Sequence, residues 1–183
     1  MFKKEKLRKK FSKIRKKKYF EVNYSFFNPL HELLRQKTTN KKNIISLYYP
    51  SNYELNTMKL FEIFSKKNIT TLLPVVSKKN MNFYKWKYKD PLKVNQFGML
   101  EPLLEKKKLI PNVIVTPLLA FNKINHRLGY GKGYYDKFLN KYLKSNREIL
   151  TIGVAFSFQK FNKLPISNFD VKLDFILTEK GFN

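Results

Sequence analysis

Apolar side chains recur along this chain with two periods, and each change of period marks a new element. From Lys4 to about Lys18, Leu7, Phe11 and Ile14 follow one another at helical spacing while Lys and Arg fill most other positions, which predicts an amphipathic basic helix. Asn43–Tyr49 (NIISLYY) is a β-branched and aromatic run that stops at Pro50, a strand, and the polar SNYELN after it is a loop. Thr57 stands where it can cap a helix carrying Met58, Phe61 and Phe64 to about Lys67. Ile69–Val76 (ITTLLPVV) and Met81–Lys87 (MNFYKWK) predict two further strands. In the second, Met81, Phe83 and Lys85 alternate with Asn82, Tyr84 and Trp86.

A polar stretch holding FGMLEP leads to Val113–Val115 inside PNVIVTP, a compact buried strand, and Leu118 to Arg127 reads as loop. Past a glycine-rich segment, YYDKFLNKYLKS sets Tyr135, Leu139, Tyr142 and Leu143 on one helical face. Leu150–Phe156 (LTIGVAF) and Leu173–Leu177 (LDFIL) close the chain as strands. Strands that alternate with helices predict an α/β chain, a single three-layer α/β/α domain around a mostly parallel or mixed central sheet. Its 183 residues suffice for one sizeable core, and no repeat or linker interrupts them.

Composition adds a charge to that picture. The formal net charge is +25, yet hydrophobic residues make up 43% and aromatics 16%, so the chain folds and is not a disordered polycation. Cys is absent and His occurs only at 31 and 126, which argues against disulfides, thiolate nucleophiles and histidine metal cages and for a reducing, cytoplasmic setting. The basic N-terminus has no apolar core of a signal peptide, and no run is long enough for a membrane span. A basic nucleic-acid-binding module is the alternative that this charge raises. Only five of the thirty-eight basic residues are Arg, however, and Lys is spread over nearly every predicted surface segment. That distribution predicts attraction to anionic small molecules rather than a specific nucleic-acid partner.

The segment with the most chemistry is Arg127–Leu139, RLGYGKGYYDKFL, which sets Gly129, Gly131 and Gly133 around Lys132. Alternate glycines let successive backbone N–H groups converge without Cβ obstruction, and a helix N-terminus directly after them adds a positive dipole end. Arg127 and Lys132 bring charge to this anion cradle, and Asp136 in the first helical turn can cap that turn or hold a cation accompanying polyphosphate. A P-loop would need Ser or Thr after GK, and a dinucleotide fingerprint would begin directly at the end of a strand, here about ten residues upstream. A glycine-rich helix cap with a solvated Lys132 is the plain alternative.

The segment RLGYGKGYYD resembles the hallmark RxGxGKGYYD of the 5-formyltetrahydrofolate cyclo-ligases, also called methenyltetrahydrofolate synthetases. Further similarities follow in the family's order: Lys4 and Arg8 in a KxxxLR-like helix start, YELNT at Tyr53–Thr57, FGMLEP at Phe97–Pro102, PLLAFN at Pro117–Asn122, the Gln159 region, Leu164–Pro165, and FDVKLDFILTE at Phe169–Glu179. The resemblance implies an ATP- and Mg²⁺-dependent cyclisation of 5-formyltetrahydrofolate to 5,10-methenyltetrahydrofolate, with release of ADP and phosphate, in an α/β/α fold. It also implies residue roles. Lys4, Arg8, Arg127 and the loop Gly129, Tyr130, Gly131, Lys132, Gly133, Tyr134 and Tyr135 would bind ATP, with Arg127 and Lys132 catalytic and Lys132 facing the transferred phosphoryl. Asp136 and Asp170 would hold Mg²⁺. Tyr49, Glu54 and Tyr134 would bind the folate, with Glu54 orienting the pterin and Trp86 a further candidate to flank the ring system. The implied partners are the folate and ATP, with no membrane and no specific nucleic acid, and the chain is expected to work as a monomer.

The sequence departs from the family pattern at Asn112 and Asn122, where Asp is common, and at Tyr130, where a second basic residue often stands. The basic residue common after Pro74 is absent as well, and Lys78, Lys79 or Lys85 would take its place opposite the folate's glutamate tail. Asn keeps hydrogen-bonding capacity but gives up charge, so these positions bear on loop anchoring and phosphate affinity rather than on the type of reaction.

Overall fold

The computed structural model describes residues 2–37, 43–77, 80–103, 108–145 and 148–183. Its centre is an eight-stranded sheet built from β1 (Ile44–Ser46), β2 (Thr70–Ser77), β3 (Asn80–Lys85), β6 (Lys108–Leu109), β7 (Val113–Thr116), β10 (Leu150–Val154), β11 (Phe175–Thr178) and β12 (Gly181–Phe182). Two hairpins stand outside it: β4 (Leu92–Val94) with β5 (Leu100–Pro102), and β8 (Ala120–Phe121) with β9 (Arg127–Leu128). The helices are α1 (Phe2–Lys18), α2 (Asn28–Lys37), α3 (Met58–Lys66) and α4 (Tyr134–Ser145).

The strand order is β12-β11-β10-β7-β1-β2-β3-β6. The run from β11 to β2 is parallel, and β3, β6 and β12 add antiparallel edges, so the sheet is mixed with a parallel centre. Successive strand residues divide between its two faces. Ile45, Leu73, Val113, Val115, Ile152 and Leu177 pack on one side with Leu30, Leu33 and Leu34 of α2 and Leu60, Phe61 and Phe64 of α3. Leu72, Phe83, Ile114 and Ile176 pack on the other with Phe138 and Leu139 of α4. Parallel strands covered on both faces need this near-continuous apolar sequence, which explains VIVT and ITTLL. The predicted α/β/α layering is the observed one.

Several expectations change. Thr57 holds the N-cap position of α3, but its side chain does not cap the helix. It is fully buried and its hydroxyl donates to the Tyr48 carbonyl at 2.6 Å, while Asn56 Oδ1 accepts from the Met58 N–H at 2.9 Å. Residues Leu118 to Arg127 are not simply loop, because β8 and β9 pair there and β9 ends directly before Gly129. Within the polar stretch, FGMLEP forms the turn and second strand of the β4–β5 hairpin. Helix α2 adds an element to those predicted, and its Leu30, Leu33 and Leu34 have the spacing of an inward stripe.

The connections locate the crevice. From β1 the chain passes through α3 to β2 on one side, whereas from β7 it passes through α4, on the opposite face, to β10 on the other side. Such a reversal between neighbouring parallel strands opens a cleft beyond their carboxyl ends, the usual ligand position in doubly wound sheets. The segments that leave those ends, 47–57 after β1 and 117–133 after β7, carry Glu54 and the glycine loop.

Candidate active site

Helix α1 closes this crevice from above. Its apolar residues Leu7, Phe11 and Ile14 pack against Leu119, Ala120, Leu128 and Leu164, which fixes the helix beside the β8–β9 hairpin. Position 15 continues the same stripe one turn after Phe11, and Arg15 is therefore carried inward and left only 1% exposed. Its guanidinium donates to the Leu118 carbonyl at 3.3 Å, the Asn52 carbonyl at 2.7 Å and the Tyr130 hydroxyl at 2.7 Å. It thus ties together the loops after β1 and β7. Gln159, also buried, supports the same turn by donating to the carbonyls of Leu118 and Leu119, both at 3.0 Å.

Two turns before Arg15 on the same face of α1, Arg8 lies on the glycine loop. Its Nε donates to the Gly129 carbonyl at 2.9 Å. Gly131 and Gly133 have φ of +102° and +69°, and a Cβ at Gly131 would stand 3.1 Å from Arg8 Cζ. Gly131 is favoured by its backbone conformation, and a Cβ there would also press on the guanidinium. Gly131→Ala is expected to cost about 1–2 kcal/mol through the unfavourable φ alone, which differential scanning would record as a melting temperature lower by roughly 2–8 °C. A groove of about 430 Å³ runs along this contact, lined by Arg8, Lys9, Ser12, Lys13, Leu119 and Tyr130. Lys132 stands exposed at the tip of the loop with its Nζ 6.0 Å from the ring centroid of Phe97, so the β4–β5 turn reaches the loop as well.

Behind the loop lies a cluster of opposite charges. Arg127, 3% exposed at its side chain, pairs with Asp136 Oδ1 at 3.0 Å and donates to the Val171 carbonyl at 3.2 Å. The Val171 N–H donates back to Asp136 Oδ1 at 3.1 Å. Next to it, Asp170 Oδ2 takes Lys4 Nζ at 2.5 Å and the N–H and hydroxyl of Ser167 at 2.6 and 3.0 Å. Partial burial works to raise the Asp170 carboxyl, but hydrogen bonds from Lys4 and Ser167 outweigh it and hold the group below its usual range. Each carboxylate thus commits one oxygen to these partners. Among the described residues no three His, Cys, Asp or Glu gather into a metal-binding cluster.

Glu54 faces the crevice from the loop after β1 and is 7% exposed. Its Oε2 accepts from the Ser51 N–H at 2.8 Å and from the Ser51 hydroxyl at 3.3 Å, and its Oε1 accepts from the Tyr130 hydroxyl. Burial raises its pKa, and the hydrogen bonds from Tyr130 and Ser51 with the charge of Arg15 only partly offset this. Tyr135, at the start of α4, brings a buried hydroxyl that meets no partner among the described residues. Burial, then the charge of Glu54, pushes that phenol up, and the charge of Arg127 draws it down. Tyr49 and Tyr134 are half-buried at the rims of the two core clusters.

The profile of the 5-formyltetrahydrofolate cyclo-ligase family matches residues 1–179. The chain belongs to this family. It is 34% identical over 140 residues to the 5-formyltetrahydrofolate cyclo-ligase of Haemophilus influenzae, covering 73% of this chain and 74% of that one. To the enzyme of that name from Mycoplasma genitalium it is 35% identical over 137 residues, covering 73% and 70%. The solved structure of the Aquifex aeolicus 5,10-methenyltetrahydrofolate synthetase superposes with a TM-score of 0.76 at 31% identity, over 98% of this chain and 91% of that one. The chain is accordingly an enzyme of the cyclo-ligase family with its α/β fold.

Set against the family pattern, the departures have a simple structural reading. Asn112 Oδ1 accepts from the Ile44 N–H at 2.9 Å, and Asn122 Oδ1 accepts from the N–H groups of Ile124 and His126 at 3.1 and 2.9 Å. Both positions use an acceptor oxygen, which Asn supplies as Asp would. Trp86 does not flank the crevice. It is 2% exposed, packs edge-on against Phe61 and donates to the Asp90 carbonyl at 3.1 Å. Lys85 is exposed at the end of β3, while Lys78 and Lys79 lie outside the described residues. Arg8, Arg15 and Arg127 are engaged with the loops of the crevice, Arg35 pairs with Glu32 at 2.7 Å, and Arg147 lies outside the described residues. No helix among the described residues is long and apolar enough to cross a membrane.

Proposed function

We propose that this cyclo-ligase, working as a monomer, closes 5-formyltetrahydrofolate to 5,10-methenyltetrahydrofolate at the expense of ATP in the presence of Mg²⁺. The observation that carries the reading is the convergence of Arg8 on the Gly129–Gly133 loop directly at the N-terminus of α4, with Lys4, Arg127, Asp136 and Asp170 grouped behind it. Backbone N–H groups at a helix start and three cationic side chains suit a polyphosphate.

The reaction asks for alignment and charge neutralisation more than for a nucleophilic side chain. The formyl oxygen attacks the γ-phosphorus, the bond to ADP breaks, and the former carbonyl oxygen becomes a phosphate leaving group. The folate's N10 then adds to the activated carbon, the C–O bond breaks with departure of phosphate, and the N10 proton passes to phosphate or water. In this scheme Arg8 and Lys4 hold the phosphate chain and Lys132 meets the charge on the moving phosphoryl group. Arg127, fixed by Asp136, completes the cradle from below. Glu54 accepts from the amide-like edge of the pterin, and Tyr49 and Tyr134 line the approach.

Asp136 and Asp170 would hold magnesium through the oxygens not already committed to Arg127 and to Lys4. A pair of carboxylate oxygens fits an ion that keeps several waters and takes further ligands from phosphate. Bound there it would offset the negative charge of the phosphate chain.

The test is direct: enzyme, 5-formyltetrahydrofolate and Mg-ATP are mixed and the absorbance of methenyltetrahydrofolate is followed. Product is expected only when all three are present, with one phosphate released per folate. No product at high enzyme concentration would sink the proposal, and a stable phosphorylated product would convert it to a kinase.

A further inference from the structure

Tyr130 belongs to two places at once. Its backbone lies in the glycine loop between Gly129, whose carbonyl takes Arg8, and Gly131, whose missing Cβ admits the same guanidinium. Its hydroxyl leaves the loop and enters the crevice, where it stands between Arg15 Nη1 at 2.7 Å and Glu54 Oε1. Arg can only donate, so the phenol accepts from Arg15 and its own proton has one direction left, toward Glu54. The Arg15 guanidinium carbon lies 5.5 Å from the ring centroid, yet 44% of Tyr130 remains exposed. A side chain so placed contributes little to the core. Its hydroxyl is the described direct hydrogen bond between the loop after β7 and the carboxylate after β1.

Taking the glycine loop as the nucleotide bed and Glu54 as the pterin acceptor, as proposed above, we infer that Tyr130 is a positioning residue coupling the two substrate sites. A nucleotide that holds the loop holds the hydroxyl on Glu54, and thereby presets the carboxylate for the folate ring. Coupling between sites is reciprocal, so bound folate must hold the loop for the nucleotide to the same degree. The chain from Arg15 through Tyr130 to Glu54 is charge-assisted at both ends and favours the ionised carboxylate, the form that accepts two N–H groups. Glu54 also acts electrostatically on Tyr48, which follows β1, and on Tyr135, which the structure places on α4 rather than in the loop.

The experiment is calorimetric titration of 5-formyltetrahydrofolate with and without a non-hydrolysable ATP analogue and Mg²⁺, on wild type, Tyr130→Phe and Ser51→Ala. In wild type the analogue is expected to tighten folate binding about fivefold or more, and in Tyr130→Phe by less than about twofold. Ser51→Ala also removes a hydroxyl from Glu54 but leaves the loop connection, and should keep the wild-type ratio. Tyr130→Phe should also shift the acid limb of folate binding to higher pH, because a partner of the ionised carboxylate is gone, and its melting temperature should fall by a few degrees because Arg15 and Glu54 each lose a buried partner. Wild-type coupling in Tyr130→Phe overturns the inference, as does an equal loss in Ser51→Ala or a wild-type enzyme that binds both ligands independently. Failure of wild type to bind either ligand would instead remove the proposed function, and this inference with it.

Discussion

Replacing Lys132 with Ala is expected to lower turnover by about a hundredfold to a thousandfold and to leave the melting temperature unchanged. The first figure is the effect of deleting one preorganised charge or donor from a site where transition-state charge develops, roughly 3 kcal/mol. The second follows from position. Lys132 is exposed, and its described contact is the Phe97 ring 6.0 Å away, so its removal falls among surface substitutions that move stability by less than about 0.5 kcal/mol. No other cation of the site separates the two effects so well. Arg127 is locked to Asp136 and the Val171 carbonyl, and Lys4 to Asp170, so truncating either strands a carboxylate as well as removing a charge. If Lys132 meets the phosphoryl group only as it moves, kcat should fall while the KM for ATP changes little. Initial rates with saturating folate and varied ATP measure both. Turnover near wild type would withdraw Lys132 from the chemistry and return it to the solvated loop that a bare glycine turn suggests.

How much of this was legible before the structure follows from the range of each signal. Helices α1, α3 and α4 and the parallel strands declare themselves in windows of a few residues, because burial on one or both faces writes a period into the local sequence. The hairpins β4–β5 and β8–β9 do not, since two or three residues per strand give no alternation to read, and their pairing depends on where the larger sheet sets their ends. Trp86 reads as a ring that could meet a ligand, but its neighbours in MNFYKWK cannot show that β3 turns it onto the side of the sheet occupied by α3.

In the site, the glycine loop and its flanking charges were readable because they are contiguous. Arg15 was not, although its position on the stripe of Leu7 and Phe11 was in view. A basic residue in a basic helix carries no local mark, and its partners at Asn52, Leu118 and Tyr130 lie far along the chain. The same holds for Tyr130, which the sequence assigns to the phosphate loop and whose hydroxyl the fold delivers to Glu54. Contiguous motifs thus report what the loop is, and only the topology reports that the loops after β1 and β7 share one crevice.

Replacing Glu54 with Gln should separate activity from the pH dependence of stability. For activity, the carboxylate offers acceptor oxygens alone, whereas an amide turns an N–H pair toward whatever the pterin donates. Losing a charge-assisted acceptor costs about 1.5–3 kcal/mol, so kcat/KM for folate is expected to fall about tenfold to a hundredfold or more. For stability, the sign follows from the raised pKa that burial gives Glu54. Across the window between the ordinary carboxylate value and that raised value, the folded protein binds a proton that the unfolded chain has already released. Stability therefore falls as pH rises through this window, and the loss persists above it. Asp170 contributes in the opposite direction, because its folded pKa is lowered and its stabilisation is lost only as pH falls below the usual carboxylate range. That contribution is common to both proteins and cancels in their difference. Melting temperatures of wild type and Glu54→Gln across the acid range should thus diverge, with wild type losing ground to the variant as pH rises toward neutrality. Superimposable profiles would mean that Glu54 carries no buried charge, and wild-type kcat/KM would mean that the folate ring is oriented by another group.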